Sequence, residues 1–109
     1  MGYLYLFIAI VGEVIATTYL KSTNNFTEFL PTTYVVIGYG TAFYFMMLAM
    51  KTIPIAITYS IWAGIGISAI TILGALKYKE VPDMLAILGL LLIILGVIIL
   101  VFFSKMSAS

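Results

Sequence analysis

The 109-residue sequence lacks several residue types on which protein chemistry commonly depends. It has no cysteine and no histidine, its only basic residues are five lysines, and it has four acids. Without cysteine there is no disulfide framework, thiol nucleophile or thiolate metal site. Without histidine the commonest metal ligand and neutral-pH acid–base group is missing, and without arginine bidentate phosphate binding is not expected. We therefore expect no enzyme, no metal site and no cofactor.

Charge is scarce throughout the chain. Charged residues make up 8% of the sequence and hydrophobic residues 64%, whereas an average soluble domain is about 25% charged. This composition excludes a soluble globular protein and a disordered one. The net charge of +1, with no basic cluster, argues against nucleic acid as a partner. No basic region precedes the first apolar run, so a cleaved signal peptide is not expected.

Four long apolar segments account for nearly the whole chain. A membrane helix needs about 20 apolar residues, and these runs are apolar on all sides instead of alternating as membrane strands do. Pro31 and Pro54 suit the first turn of a helix, and Asp83 suits an N-cap. We predict an all-α integral membrane protein with one transmembrane domain over residues 1–109. The predicted helices span about residues 2–20, 31–50, 54–76 and 84–103.

The five lysines divide almost equally between the two membrane faces. With four spans, Lys51 and Lys105 lie on the face of both termini, and Lys21, Lys77 and Lys79 lie on the opposite face. Because basic loop residues set orientation, a count of two against three gives almost no preferred orientation. Two interpretations stay open: dual topology with antiparallel pairing of copies, or a weakly biased single orientation set by lipid or a partner.

Glu13 is the one charged residue inside a predicted span. An acid at the bilayer centre costs roughly 2.5–3.5 kcal/mol, so such a residue is a functional-site candidate by default. An apolar environment disfavours the charged carboxylate, so Glu13 could exchange protons and attract a cation. The alternative is a protonated Glu13 that only hydrogen-bonds to a neighbouring helix. Helical spacing places Leu6 and Thr17 on its face, and small residues there leave room for another helix or a ligand.

The chain holds 16 aromatic residues, several of them deep within spans. Tyr39 lies in the second segment, and Tyr59 and Trp62 lie three residues apart in the third, on one helical face. Aromatic rings bind cations by about 0.5–2 kcal/mol each, so an acid with aromatics inside a membrane is typical of a site for a lipophilic cation. The alternative for each ring is simple packing or an interface anchor.

Two pairs of glycines lie within the third and fourth segments. Gly64 and Gly66 could kink a helix, as alternating access requires, or could simply permit close packing. Gly89 and Gly96 are seven residues apart on one stripe of a segment without a buried polar group. That segment is predicted to be a packing helix and a candidate dimer contact.

With these features the sequence resembles the small multidrug resistance transporters over essentially its full length. The matching segments are Gly12–Thr18 with Leu20 and Lys21, Phe26 and Thr27 with Pro31, Ile53 and Pro54, Ile57–Gly66, Tyr78–Glu80, and Gly89 with Gly96.

The resemblance implies an antiparallel, dual-topology homodimer in the cytoplasmic (inner) membrane of a prokaryote. Three helices of each subunit would form the chamber and the fourth would hold the dimer. The paired Glu13 side chains would bind either protons, the coupling ion, or one cationic substrate. The resemblance further implies that Gly64 and Gly66 form a conformational kink. The implied substrate-site residues are Tyr39, Tyr59 and Trp62, with Tyr3, Leu6 and Thr17 near them.

The residue three positions after Glu13 bears on the substrate. Guanidinium exporters of the family usually carry Trp there, and this chain carries Ala16, which fits the branch that exports quaternary ammonium and polyaromatic cations. The predicted function is therefore proton-coupled efflux of lipophilic cations. Two alternatives stay open: a guanidinium exporter, and an accessory membrane subunit in which Glu13 only pairs helices.

Overall fold

The computed structural model describes residues 1–105, so the last four residues of the predicted domain 1–109 lie outside the described residues. That range contains helices and no strand. The helices are α1 (Gly2–Leu20), α2 (Phe29–Ala49), α3 (Ile55–Tyr78) and α4 (Met84–Ile98), and α4 continues as a π-helical segment, Ile99–Phe103. With their short extensions, all four are long and apolar enough to cross a membrane. The predicted all-α membrane fold is confirmed.

The ends of α2 and α3 differ from the predicted positions by one or two residues. Helix α2 begins at Phe29, two residues before Pro31, because the first four helical N–H groups need no intrahelical partner and proline fits there. Helix α3 begins after Pro54 and runs on to Tyr78. Its end is closed by Lys79 in the left-handed conformation, with φ of 60°. The Asp83 carboxylate accepts a hydrogen bond from the Ala86 amide and caps α4.

Helices α1 and α2 pack most closely, and small residues permit this. A methyl group added at Gly38 would lie 2.7 Å from the Gly12 carbonyl oxygen, and one at Gly12 would lie 2.8 Å from the Gly38 carbonyl oxygen. Ala16 and Ala42 are buried beside them. Small residues at a membrane helix interface let the two backbones approach and gain van der Waals contact. The room beside Glu13 that the sequence indicated is thus partly filled by α2.

The apolar core lies toward the end of the bundle that holds the N-terminus. It joins α1 to the connection between α2 and α3, and Trp62, Ala69 and Ile70 of α3 pack against it. The buried members are Leu6, Ile10, Val14, Ala49, Ile53 and Ile57.

Helix α4 stands apart from the other three helices, because none of its residues is buried. It rests on α3 through Val97, which lies against Gly64. The described chain is flat, with principal dimensions of 44 × 35 × 18 Å. The flat shape leaves much apolar surface open, including one whole side of α4.

Candidate functional site

The carboxyl group of Glu13 lies between α1 and α3. A methyl group at Gly66 of α3 would lie 3.0 Å from Glu13 Oε2, so the absence of a side chain at Gly66 lets the carboxyl group rest against the α3 backbone. Sequence reasoning singled out Gly66 as part of a kink. The structure adds that this glycine makes space for the acid.

One oxygen of the Glu13 carboxyl group is held by a short chain of hydroxyl groups. Thr17 Oγ1 donates a hydrogen bond to Glu13 Oε1 at 2.8 Å, and it lies 2.6 Å from the Tyr39 hydroxyl. A threonine hydroxyl has a single proton. Since that proton forms the hydrogen bond to Glu13, the Tyr39 hydroxyl is the donor in its hydrogen bond with Thr17. The chain connects α2 to the acid on α1, and it unites three of the predicted site residues.

The other oxygen of Glu13 has no partner within residues 1–105. Glu13 Oε2 is buried without a hydrogen bond, and so is the indole nitrogen of Trp62. Both residues line one cavity of about 220 Å³, whose other lining residues are Ala63, Gly66, Ile67 and Ile70. Buried polar atoms normally have hydrogen-bond partners. An unpartnered acceptor and an unpartnered donor in one cavity are typical of a ligand site.

Four aromatic rings form a row that reaches this cavity at Trp62. The centroid of Tyr39 lies 6.0 Å from that of Phe43, and Phe43 lies 6.3 Å from Trp62. Tyr59 extends the row, with its ring 5.2 Å from Trp62. The row brings together the three predicted aromatic residues. Sequence reasoning did not assign Phe43 to the site, although its spacing of four from Tyr39 places it on the same helical face.

Two further predicted residues are not brought to the acid. Leu6 is buried in the apolar core, only 1% exposed, because its helical face is covered by the connection between α2 and α3. Tyr3 is 61% exposed, and its side chain makes no ring contact or hydrogen bond within the described chain. Their contribution to a substrate site remains a prediction.

The four predicted glycines have different surroundings. Gly64 lies under Val97 of α4, and α3 runs as one continuous helix through Gly64 and Gly66. Gly89 and Gly96 of α4 have no atom of the described chain within 4 Å of an added methyl group. The kink and the dimer contact thus stay predictions, while the open face of α4 is available to another molecule.

Comparison with known proteins places the chain in a family. The family model described as Small Multidrug Resistance protein matches residues 1–93. The chain belongs to the Small Multidrug Resistance family. The predicted family resemblance is confirmed, and the site described above lies wholly within the matched residues.

Three relatives show the range of names within this family. The Quaternary ammonium compound-resistance protein QacE of Escherichia coli is 47% identical over 107 residues, which is 98% of this chain and 97% of the relative. A multidrug transporter of Pseudomonas aeruginosa is 44% identical over 106 residues, covering 97% and 96%. A protein of Salmonella typhimurium named for ethidium bromide resistance is 47% identical over 93 residues, covering 85% and 81%.

The family and the helices together show what type of membrane protein this Small Multidrug Resistance protein is. Four helices are able to span a membrane, and the relatives are bacterial. The chain is a multi-pass membrane protein of prokaryotic type.

Proposed function

We propose that this chain is a proton-coupled antiporter that exports lipophilic, quaternary ammonium and polyaromatic cations. The observation that carries the proposal is the buried Glu13 Oε2, which has no partner in the described chain, in a residue that lines a cavity together with Trp62. A proton or a cationic substrate can neutralise this oxygen, but not both at once. Binding of one therefore opposes binding of the other, which is the competition that antiport requires.

The aromatic row supports a lipophilic cation as the substrate. Rings of Tyr39, Phe43, Trp62 and Tyr59 form a row that shares a cavity with the acid at Trp62, and ring faces attract cations most strongly where water is excluded. The names of the relatives, which refer to quaternary ammonium compounds, ethidium bromide and multidrug transport, agree with this class of substrate.

A second copy of the chain is needed to complete the site. One chain provides a cavity of about 220 Å³, below the roughly 300–1,000 Å³ of sites for drug-sized ligands. Helix α4 leaves Gly89 and Gly96 open to a neighbour. We infer an antiparallel homodimer with dual topology in the cytoplasmic membrane. Two lysines on one membrane face and three on the other give the chain almost no preferred orientation.

The surroundings of Ala16 disfavour the guanidinium alternative. Ala16 is fully buried and its Cβ lies against Gly38 of α2. A Trp side chain, expected there in guanidinium exporters, would force α1 and α2 apart. The observed helix pairing thus requires a small residue at this position.

The experiment measures the affinity of the purified chain for tetraphenylphosphonium between pH 5 and pH 9. We expect affinity to rise with pH, because fewer protons then compete with the cation, and we expect Glu13→Gln to lose about tenfold or more in affinity at high pH. Glu28→Gln is the matched control, because Glu28 is an exposed acid before α2, and it should bind like the parent.

Two results would contradict the proposal. If Glu13→Gln binds the cation as well as the parent does, Glu13 only pairs helices and the chain is an accessory subunit. If the parent ignores the cation at every pH but transports guanidinium, the substrate class is wrong.

A further inference from the structure

The two helices that flank Glu13 are tied together at their C-terminal ends by Tyr78. Its hydroxyl donates a hydrogen bond to the Thr18 carbonyl oxygen at 2.7 Å and lies 2.5 Å from Ser22 Oγ. The phenol has one proton, and that proton forms the hydrogen bond to the Thr18 carbonyl oxygen. Ser22 is therefore the donor in its hydrogen bond with Tyr78. One hydroxyl of α3 is thus bonded twice to the end of α1 and the turn that follows it.

Charged groups surround the same tyrosine. Lys21 forms an ion pair with Glu80, and its Nζ lies 5.1 Å from the centre of the Tyr78 ring. Lys77 Nζ lies 5.4 Å from that ring and 4.7 Å from the ring of Tyr19. We use the name α1–α3 clasp for Thr18, Ser22, Tyr78 and the Lys21–Glu80 pair.

The clasp joins α1 to α3 on the C-terminal side of the Glu13 cavity. Thr18 is five residues after Glu13, about 7.5 Å along the helix axis. Side chains of a helix lean toward its N-terminus, so the Tyr78 ring leans along α3 in the direction of the cavity, whose last lining residue on that helix is Ile70. On the other side of the cavity, α1 meets α3 through apolar side chains such as Leu6 and Ile57. Directional polar bonds between the two helices are therefore concentrated at the Lys21 and Lys77 end.

We propose that the α1–α3 clasp is a latch, which admits water and cations to Glu13 from the Lys21 and Lys77 face only after the Tyr78 hydroxyl leaves the Thr18 carbonyl. The inference rests on the proposed function of Glu13. In an antiparallel dimer the two latches lie on opposite membrane faces. Opening one latch while the other stays closed then gives access from one face at a time.

The hydroxyl bonds should contribute more to the latch than the ion pair does. Lys21 and Glu80 are 63% and 57% exposed, and exposed ion pairs contribute little because water and salt screen them. The Tyr78 hydroxyl is partly buried between the helices. We therefore expect Tyr78→Phe to open the latch, and Glu80→Gln to change it less than twofold.

The test uses the absence of native cysteine. A single thiol is introduced by Ala63→Cys in the Glu13 cavity, and its labelling by a water-soluble, membrane-impermeant methanethiosulfonate is timed in lipid nanodiscs, where both faces are accessible. Loss of one hydrogen bond shifts an equilibrium by about fivefold, so Tyr78→Phe should label about five times faster. Tyr34→Phe removes the same atom from a tyrosine outside the clasp and should label at the parent rate.

Two labelling results overturn the latch: a parent-like rate for Tyr78→Phe, or equal acceleration in Tyr78→Phe and Tyr34→Phe. If Ala63→Cys does not fold, hydrogen exchange of the native-sequence chain and Tyr78→Phe replaces labelling. The Glu80 amide, which donates to the Gly74 carbonyl, should then exchange about five times faster in Tyr78→Phe, and an unchanged rate overturns the latch. Neither readout depends on cation binding, so failure of the latch is distinguishable from failure of the proposed function, which Glu13→Gln tests.

Discussion

Helices α1 and α4 are both apolar and long enough to cross a membrane, yet they have opposite surroundings. Eight residues of α1 are buried within the described chain, including four glycines and alanines, whereas no residue of α4 is buried. Helix α1 carries the acid and hydrogen bonds to both α2 and α3. Within residues 1–105, helix α4 rests on α3 through apolar contacts such as that of Val97 with Gly64.

The difference shows that similar apolar segments of a small membrane protein can have different structural roles. Lipid tails are as apolar as the side chains, so an apolar side chain gains little when it exchanges lipid contacts for contacts with another helix. Close association of helices therefore depends on small residues and polar bonds. Helix α1 has both and forms the interior of the site. The glycines of α4 meet no other side chain of the described residues, so its glycine stripe is open to a second copy. The following substitutions test this division.

The largest effect is expected where α1 meets α2. Gly38→Ala places a methyl group 2.7 Å from a backbone oxygen of Gly12, and a backbone cannot rotate away as a side chain can. We expect a loss of about 1–3 kcal/mol in the free energy of unfolding, measured by detergent denaturation in mixed micelles. Gly40→Ala, whose added methyl group meets nothing within 4 Å, is the control. Equal losses in both variants would contradict the close packing.

The next effect concerns α4 and the association of copies. Gly96→Leu should leave the helix content of the chain unchanged, since no atom of the described chain lies near Gly96. It should weaken dimerisation about tenfold, which corresponds to about 1.4 kcal/mol, because it fills the face proposed to meet a second copy. Energy transfer between labelled copies on lipid dilution measures this. The same change at Gly40 is the control, and an unaltered dimer in Gly96→Leu would assign α4 to lipid contact.

A smaller effect is expected at the hydroxyl chain on Glu13. Thr17→Val keeps the shape of the side chain but leaves Glu13 Oε1 without its donor and Tyr39 without its acceptor. We expect tetraphenylphosphonium affinity to fall about fivefold, the equivalent of one hydrogen bond of about 1 kcal/mol. Thr17→Ser keeps the hydroxyl and should bind nearly as the parent does. An equal loss in the two variants would show that shape, not hydrogen bonding, matters at this position.

The smallest effect is expected where α3 meets α4. A methyl group at Gly64 would lie 2.8 Å from Val97 Cγ2, which is the end of a side chain and can move aside. We expect Gly64→Ala to cost about 0.5–1 kcal/mol of unfolding free energy, the size of a displaced rotamer. Val97→Ala in the same chain should remove that cost. A loss as large as that of Gly38→Ala would mean that α4 is held as tightly as α2.

Much of the architecture follows from local features of the sequence. Long apolar runs, proline near helix starts and Asp83 before α4 predict four spans, because span length and capping depend on neighbouring residues alone. Glu13 is identifiable for the same reason, since a single acid in an apolar run is costly wherever the run packs. Tyr39, Tyr59 and Trp62 are recognisable as ring candidates from helical spacing and the family resemblance.

Contacts between distant segments were decided only by the tertiary structure. Small residues beside Glu13 fit a ligand or a helix equally well in the sequence, and the structure places α2 there. Tyr78 has the pattern of an interface anchor, yet its hydroxyl reaches Thr18, 60 positions away along the chain. Periodicity defines the face on which a side chain lies, but not which helix covers that face. That choice depends on how all the helices pack at once.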